Sequence, residues 1–291
     1  MQDMQDMIDR LNQSGKRLSK GQRRIVEYIV EHYDKAVFMT ASRLGESVGV
    51  SESTVVRFAS ALGYEGYPQL QRALQELVSH RLTPNQRVEM SEDIDPNAVL
   101  GTVLKSDMQN LRATLESMDN EVFEDVVQRM LGAKSLYVMG LRSAAPLAQF
   151  MCYYLNYIFP VVHLVSSGTT DVFDEISKVE PGDVLIGISF PRYSTRTLEA
   201  MRYAKRRGAQ VVSITDGPMS PLTEASDATL CAHTDMASFV DSLAAPLSLI
   251  NALLVSLGLK RKDALREHFK QLEALWDTYE VYLEEGHRRG S

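Results

Sequence analysis

The stretch that decides the fold of the N-terminal part runs from Thr40 to Gly63: Thr-Ala-Ser-Arg-Leu-Gly-Glu-Ser-Val-Gly-Val-Ser-Glu-Ser-Thr-Val-Val-Arg-Phe-Ala-Ser-Ala-Leu-Gly. Thr40 can cap a short helix from Ala41 to Val48. Gly49 interrupts it, and Ser51 can cap a second helix, Glu52 to Leu62, which Gly63 ends. Two short helices joined at a glycine predict a helix-turn-helix. Leu44, Val48, Val50, Val55 and Phe58 are the apolar positions that pack the pair together. Gly45 is the small residue at their closest approach, and Gly49 is a turn residue free to take positive φ.

This packing leaves Ser51, Ser53, Thr54, Arg57 and Ser60 on the outer face of the second helix, with Val56 beside them. Short hydroxyls and one long cation suit the N-terminal half of a recognition helix, which enters the major groove. Arg57 can bond guanine bidentately, and the hydroxyls can serve phosphates or bases. Upstream, Ser19 can cap a helix carrying Ile25, Val26, Ile29 and Val30. Lys16, Arg17, Lys20, Arg23 and Arg24 fall on or just before it, within nine residues, placed for contact with a phosphate backbone. The expected DNA contacts are Lys20, Arg24, Thr40, Ser51, Ser53, Thr54 and Arg57. A helical bundle with a solvated basic face is the competing reading of the same residues.

The whole-chain charge points the other way. The chain has 291 residues, 44% hydrophobic and 24% charged, with a formal net charge of −7. That composition excludes disorder, collagen and coiled coil as descriptions of the whole, and the length suits about two domains. An acidic chain is an unusual nucleic-acid binder. The charge is unevenly divided, however. Residues 1–82 hold 11 Lys/Arg against 10 Asp/Glu, and residues 83–291 hold 20 against 28. A near-neutral reader joined to an acidic second part predicts a division of labour.

Cys152 and Cys231 lack zinc spacing and are too few for a disulfide framework, so a reducing, cytoplasmic setting is expected. Met1 to Arg10 is acidic and has no apolar core of a secretory signal. The longest apolar run, Leu243 to Leu259, is broken by Pro246, Ser248, Asn251 and Ser256. It reads as a buried helix, not a membrane span.

Helix Pro68 to His80 closes the first domain (1–82). Thr83 to Pro96, polar with two prolines, reads as a linker. The remainder, 97–291, has an expected core of about 120–258. It begins with helices from Asp95 or Asn97 to Met118 and from Glu121 to Met130. Short apolar runs then alternate with amphipathic stretches. The runs are Ser135–Gly140, Val161–Val165, Asp183–Ser189, Gln210–Thr215 and Ala228–Ala232. The stretches are Ala144–Ile158, Asp171–Val179, Thr195–Arg207 and Ser242–Leu257. Runs apolar on both faces, alternating with helices, predict an α/β doubly wound, five-stranded parallel sheet. A final helix, Lys260 to Glu284, carries a stripe of Leu265, Phe269, Leu272, Leu275, Trp276 and Tyr279, expected to be core or dimer contact.

Ligands of such sheets bind beyond the carboxyl ends of the strands. Three ends are polar: Gly140-Leu141-Arg142-Ser143, Ser166-Ser167-Gly168-Thr169-Thr170, and Ser189-Phe190-Pro191-Arg192-Tyr193-Ser194-Thr195. Hydroxyls and amides at these turns can cradle an anion, with Arg142 and Arg192 adding charge-assisted bonds. The same hydroxyls serve equally well as helix caps. Arg142, Ser143, Ser166, Ser189, Arg192, Ser194 and Thr195 are the expected effector contacts. The dinucleotide and Walker patterns are missing. His163 reads as a packed core residue, and His233 and Asp235 as site neighbours without a catalytic pattern. No metal, cofactor or catalytic residue is expected.

Together these residues resemble the RpiR family of bacterial transcriptional regulators, with the second part similar to a sugar isomerase (SIS) domain. The resemblance runs from about Leu18 to Gly258. It is most specific in Leu18–Tyr67 and in Gly182-Asp183-Val184, Ala204-Lys205-Arg206-Arg207-Gly208-Ala209, Ser220-Pro221-Leu222 and Ser226-Asp227. It implies a cytoplasmic homo-oligomer, a dimer or a tetramer, that binds a double-stranded operator and senses a sugar phosphate or sugar acid. The family's first loop reads Gly-x-Gly-x-Ser. Gly140 matches, while Arg142 stands at the second glycine and Ala144 at the serine. Its third loop reads Ser-x-Ser-Gly-x-Thr-x-Glu. Ser189 matches and Ser194 replaces the threonine, whereas Pro191, Arg192 and Arg196 depart from it. The alternative is a sugar-phosphate isomerase with an accessory helical domain. That chemistry needs a placed base, and only Glu175 and Glu199 stand near.

Overall fold

The computed structural model describes residues 18–37, 39–79, 83–89, 94–166, 168, 170–236 and 239–282. Lys16 and Arg17 of the basic cluster, Ser167 and Thr169 of the second loop, and the end of the last predicted helix lie outside them. The chain divides into two compact units, Met1–Met108 with Asp235–Ser242, and Gln109–Thr234 with Leu243–Ser291.

The first unit is built as its spacing dictates. Ser19 opens α1 (Lys20–Glu31) with a capping box, its hydroxyl accepting from Gln22 N while the Gln22 side chain accepts from Ser19 N. Such reciprocal bonds satisfy donors that a helix start leaves orphaned. A short turn, α2 (Tyr33–Ala36), leads to α3 (Ala41–Val48), capped by Thr40 Oγ1. Gly49 follows at φ 68°, α4 spans Glu52–Ala61, and α5 spans Tyr67–Ser79. Ile25, Ile29, Leu44, Val48, Val55, Phe58, Leu70 and Leu74 form the core. A Cβ on Gly45 would sit 2.8 Å from the Val50 carbonyl oxygen, so glycine sets how closely α3 can approach the turn.

The stretch read as a linker contains a helix, α6 (Pro84–Glu89), started by Thr83 accepting from Gln86 N. Arg87 on α6 is almost wholly buried and pairs with Asp241 at 2.7 Å, their side chains 7% and 16% exposed. Sequence spacing could not foresee a pairing across 154 residues. A long helix, α7 (Val99–Ser117), runs from there.

In the second unit, α8 (Asn120–Leu131) precedes five strands, β1 (Leu136–Gly140), β2 (Val162–Val165), β3 (Val184–Ile188), β4 (Gln210–Thr215) and β5 (Ala228–Cys231). All neighbours are parallel, in the order β2-β1-β3-β4-β5, as expected for a doubly wound sheet. Between them lie α9 (Ala145–Ile158), α10 (Val172–Glu175), α11 (Thr195–Arg206) and α12 (Leu222–Ala225), followed by α13 (Ala244–Lys260) and α14 (Lys262–Thr278). Successive strand residues point to opposite faces. Leu136, Val138, Val184, Ile186, Val212 and Ile214 bury against α8, α9 and α13. Tyr137, Met139, Leu185 and Val211 bury against α10 and α11.

Three expectations are corrected. His163 is not a core residue: β2 is an edge strand, and His163 is exposed on it, stacked on Tyr137 at 4.6 Å between ring centroids. The helix predicted over Asp171–Val179 is the single turn α10, after which the Ser177 hydroxyl bonds the Asp174 carbonyl. The stripe on α14 is not core, since none of its residues is buried. Phe269 packs half-buried on Tyr157 at 5.2 Å, and Leu275 and Tyr279 are exposed.

Gly45→Ala should lower the stability of the helix-turn-helix by about 1–3 kcal/mol, because its methyl would press on backbone rather than on a movable side chain. The expected result is a lower chemical-denaturation midpoint with unchanged slope, the product of slope and midpoint shift giving that free energy.

Candidate functional site

The outer face of α4 is polar along its first turns. Ser51 stands at the N-cap, but its side chain does not cap the helix. Instead Ser51 Oγ lies 2.9 Å from both Ser53 Oγ and Thr54 Oγ1, forming a small hydroxyl cluster. Arg57 leans back on this cluster, its Nε donating to the Ser53 carbonyl at 3.2 Å and Nη2 reaching Thr54 Oγ1 at 3.5 Å. Ser51, Ser53, Val56, Arg57 and Ser60 are exposed, while Thr54 is half-buried. Arg24, on α1, reaches the turn itself, with Nη1 donating to the Gly49 carbonyl at 3.5 Å. Lys20 is exposed at the start of α1, and Thr40 at the start of α3 has its hydroxyl engaged as a cap. The structure therefore groups Ser51, Ser53, Thr54 and Arg57 on one helix face, with Arg24 beside the turn that precedes it.

In the other unit the chain winds from β1 outward to β2, then returns to start β3 on the opposite side of β1. The point where strand order reverses lies between β1 and β3, where an open α/β sheet has its ligand crevice. Gly140 pairs with Ile188 at the carboxyl ends of these two strands. The loops that follow carry Arg142 and Arg192, both exposed, both with left-handed backbone: φ is 56° at Arg142 and 50° at Arg192. A non-glycine residue there costs about 1–2 kcal/mol. These are the two positions at which the resembled family carries glycine. Gly140 is held by packing, since a Cβ would lie 2.6 Å from the Ala144 carbonyl oxygen.

The hydroxyls divide between bonds within the protein and exposure. Ser189 Oγ accepts from Ser194 N at 3.1 Å, and Ser194 Oγ caps α11 by accepting from Thr197 N at 3.2 Å. Ser143 and Thr195 are exposed. Ser166 N donates to Glu175 at 2.8 Å, and Thr170 Oγ1 donates to the same carboxylate at 3.1 Å. Glu175 thus ties Ser166 to Thr170. Arg196 lies 3.4 Å from Asp171 and over the Phe173 ring.

One group escaped the sequence reading. Tyr193, next to Arg192, donates its hydroxyl to Asp216 at 2.9 and 3.1 Å. Asp216 directly follows β4, and Thr215 Oγ1 lies 3.0 Å from the same carboxylate. Burial raises the Asp216 pKa, opposed by these hydrogen bonds and by nearby His233. Burial, with the Asp216 charge second, pushes the Cys231 thiol up to about 11. The signal was available in an acid placed directly after a strand. His233 is held elsewhere, with its N–H donating to Thr114 Oγ1 at 2.9 Å and its ring 3.5 Å from Ser117 Oγ.

Comparison with known proteins decides the family. The helix-turn-helix domain of the rpiR family matches residues 5–81, and the SIS domain matches residues 130–256. The chain belongs to the RpiR family. This RpiR-family chain is 25% identical over 278 residues to the HTH-type transcriptional regulator HexR of Pseudomonas aeruginosa, covering 93% of this chain and 95% of that protein. Against HexR of Escherichia coli K12 it is 26% identical over 283 residues, covering 94% and 95%. In fold it is similar to the Vibrio vulnificus NanR protein solved with ManNAc-6P. The TM-score is 0.56 at 23% identity, over 92% of this chain and 98% of that one. The sugar isomerase domain of an RpiR transcription factor from Sphaerobacter thermophilus aligns with a TM-score of 0.59 at 24% identity, over 61% of this chain and 99% of that one. The chain is an RpiR-type transcriptional regulator with a helix-turn-helix and a SIS domain.

Left-handed backbone at Arg192 makes a direct prediction. Arg192→Gly should be more stable than Arg192→Ala by about 1 kcal/mol, because both delete the side chain and only glycine relieves the strain. Urea denaturation of the two variants measures the difference, and equal midpoints would place Arg192 in an ordinary conformation.

Proposed function

We propose that this regulator senses an anionic, carbohydrate-type metabolite at the carboxyl edge of the SIS sheet and changes its hold on an operator in response. The observation that carries this reading is the pair of left-handed arginines at the β1–β3 switch point. Strain of this kind persists where surrounding structure imposes it, and it clusters at ligand sites. Two guanidinium groups replace two glycines, adding positive charge at an edge where backbone alone would meet the ligand. The effector is therefore more negatively charged than a sugar monophosphate, or is a sugar acid. Ser143, Ser166, Ser189, Ser194 and Thr195 supply hydroxyls and amides around Arg142 and Arg192. NanR, solved with ManNAc-6P, is a phosphosugar-bound protein of the same fold, which supports the class of ligand.

On the DNA side, Arg57 reads a base edge from the first turns of α4. Ser51, Ser53 and Thr54 serve bases or phosphates, and Lys20, Arg24 and Thr40 serve the phosphate backbone. Residues 1–82 act as the reader, 83–96 as the connection and 97–291 as the sensor. The protein works in the cytoplasm as a homodimer, pairing two recognition helices on a two-fold operator. The isomerase alternative is disfavoured by the same geometry. Glu175 is committed to Ser166 and Thr170, and Arg196 occupies the place where the resembled pattern carries glutamate.

Calorimetry with a panel of sugar phosphates, sugar bisphosphates and sugar acids tests the sensor. The wild type should prefer a sugar bisphosphate or a sugar acid over the sugar monophosphates. Arg142→Ala and Arg192→Ala should each weaken that ligand at least about tenfold, the loss of one charge-assisted hydrogen bond. Unchanged affinity in both variants would overturn the assignment of the arginines.

A further inference from the structure

The long helix α7 is built inside out. The side chains it buries are polar: Asn110 is 1% exposed and Thr114 8%. Its inward contacts are hydrogen bonds. Ser106 donates to the Asp235 carbonyl, Asp107 accepts from the Ser242 hydroxyl at 2.6 Å, and Thr114 accepts from His233 N. The adjoining face, a quarter-turn or more round the helix, carries Leu100, Leu104, Met108, Leu111 and Leu115, exposed by 75%, 52%, 59%, 37% and 79%. An amphipathic surface helix has the reverse arrangement, and a contiguous apolar stripe of this kind marks an interaction surface.

The spacing of the stripe names the shape of its partner. Leu104, Met108, Leu111 and Leu115 are separated by four, three and four residues, the a/d repeat by which one helix receives the knobs of another. With Met108 and Leu115 at a and Leu104 and Leu111 at d, Asp107 falls at g and Arg112 at the following e. A parallel pair sets g of one strand against e of the other, five residues on. Asp107 of each copy then faces Arg112 of the second copy, twice across a two-fold axis. An antiparallel pair would set g against g and e against e, so that like charges meet. The helix is thus complementary to itself in the parallel sense. Arg112 is held along the helix by Glu116 at 2.7 Å and is otherwise exposed.

We propose that the outer face of α7 is a docking seam for a second copy of this chain, the two α7 helices lying parallel as a short coiled coil. The seam deepens the homodimer reading above, for which it supplies a surface. It belongs to a single helix of 19 residues.

Sedimentation velocity on the full chain tests it. The wild type should be a dimer. Leu104→Gln with Leu115→Gln should raise the dimer dissociation constant about a hundredfold, as for two central apolar anchors each worth about tenfold. The far-UV dichroism should not change, because both leucines are already exposed. Arg112→Glu should weaken the dimer, and adding Asp107→Lys should restore it. Met108→Cys should form a disulfide-linked dimer under mild oxidation, which requires the parallel register and does not depend on the glutamine variants. A wild-type monomer would overturn the dimer reading and the seam together. A dimer indifferent to the glutamine pair would overturn the seam alone, moving the interface to another face such as α9 and α14. A monomer that binds anionic phospholipid vesicles through the leucines would give the stripe to a membrane surface and overturn the proposal.

Discussion

The parallel pairing of β1 with β3 is the constraint on which the SIS domain depends. Both strands are buried along their whole length, so neither tolerates a shift of register that would turn apolar side chains outward. Parallel pairing also forces each strand to exit at the same edge, and every following loop is therefore delivered there. Because β2 lies on one side of β1 and β3 on the other, the strand order reverses between β1 and β3, the position at which open α/β sheets bind their ligands. Arg142 and Arg192 stand on the loops after these two strands. Their position at the edge follows from the topology, and their left-handed backbone follows from turns tight enough to suit glycine.

The energetics of that edge favour a fixed frame with a few free donors. Ser189, Ser194 and Glu175 spend their hydrogen bonds on the loops themselves, and Tyr193 ties the third loop to Asp216 at the end of the neighbouring strand. The loops are thereby held before any ligand arrives, which lowers the ordering cost of binding. The Arg142 and Arg192 side chains are exposed at that edge, and in the proposed function they are the groups left to meet a ligand. The helix-turn-helix follows the same logic at a smaller scale. Gly45 and Gly49 fix the angle between α3 and α4, and that packing sets which hydroxyls face outward.

Much of this was legible from spacing. The five strands lie within a residue or two of the apolar runs, and for the central β1, β3 and β4 this is because a strand buried on both faces leaves an uninterrupted signature. Arg142 and Arg192 were legible as strand-end cations, though not as strained ones, since backbone dihedrals leave no mark in composition. His163 was misread because a short apolar run does not reveal whether its strand is central or at an edge. Asp216 was passed over because its meaning depends on Tyr193, 23 residues earlier. The Arg87–Asp241 pair is a contact between segments far apart in the chain, which local pattern cannot supply. Ser51 shows a subtler limit: its place as a cap residue was readable, but its hydroxyl bonds other hydroxyls instead of the backbone.

The negative net charge that seemed to oppose DNA binding belongs to residues 83–291, while residues 1–82 are near neutral, with Lys20, Arg23 and Arg24 on α1 and Arg57 on α4. Reader and sensor are one regulator only if what binds one alters the other, and that coupling must be reciprocal. The most direct measurement takes operator DNA recovered by selection with the full-length protein, and the sugar phosphate or sugar acid found to bind it. Operator affinity is determined with and without the metabolite, and metabolite affinity with and without the operator. The account predicts that both change by one common factor, of about fivefold or more. Operator affinity unmoved by a metabolite that saturates the sheet edge would contradict it.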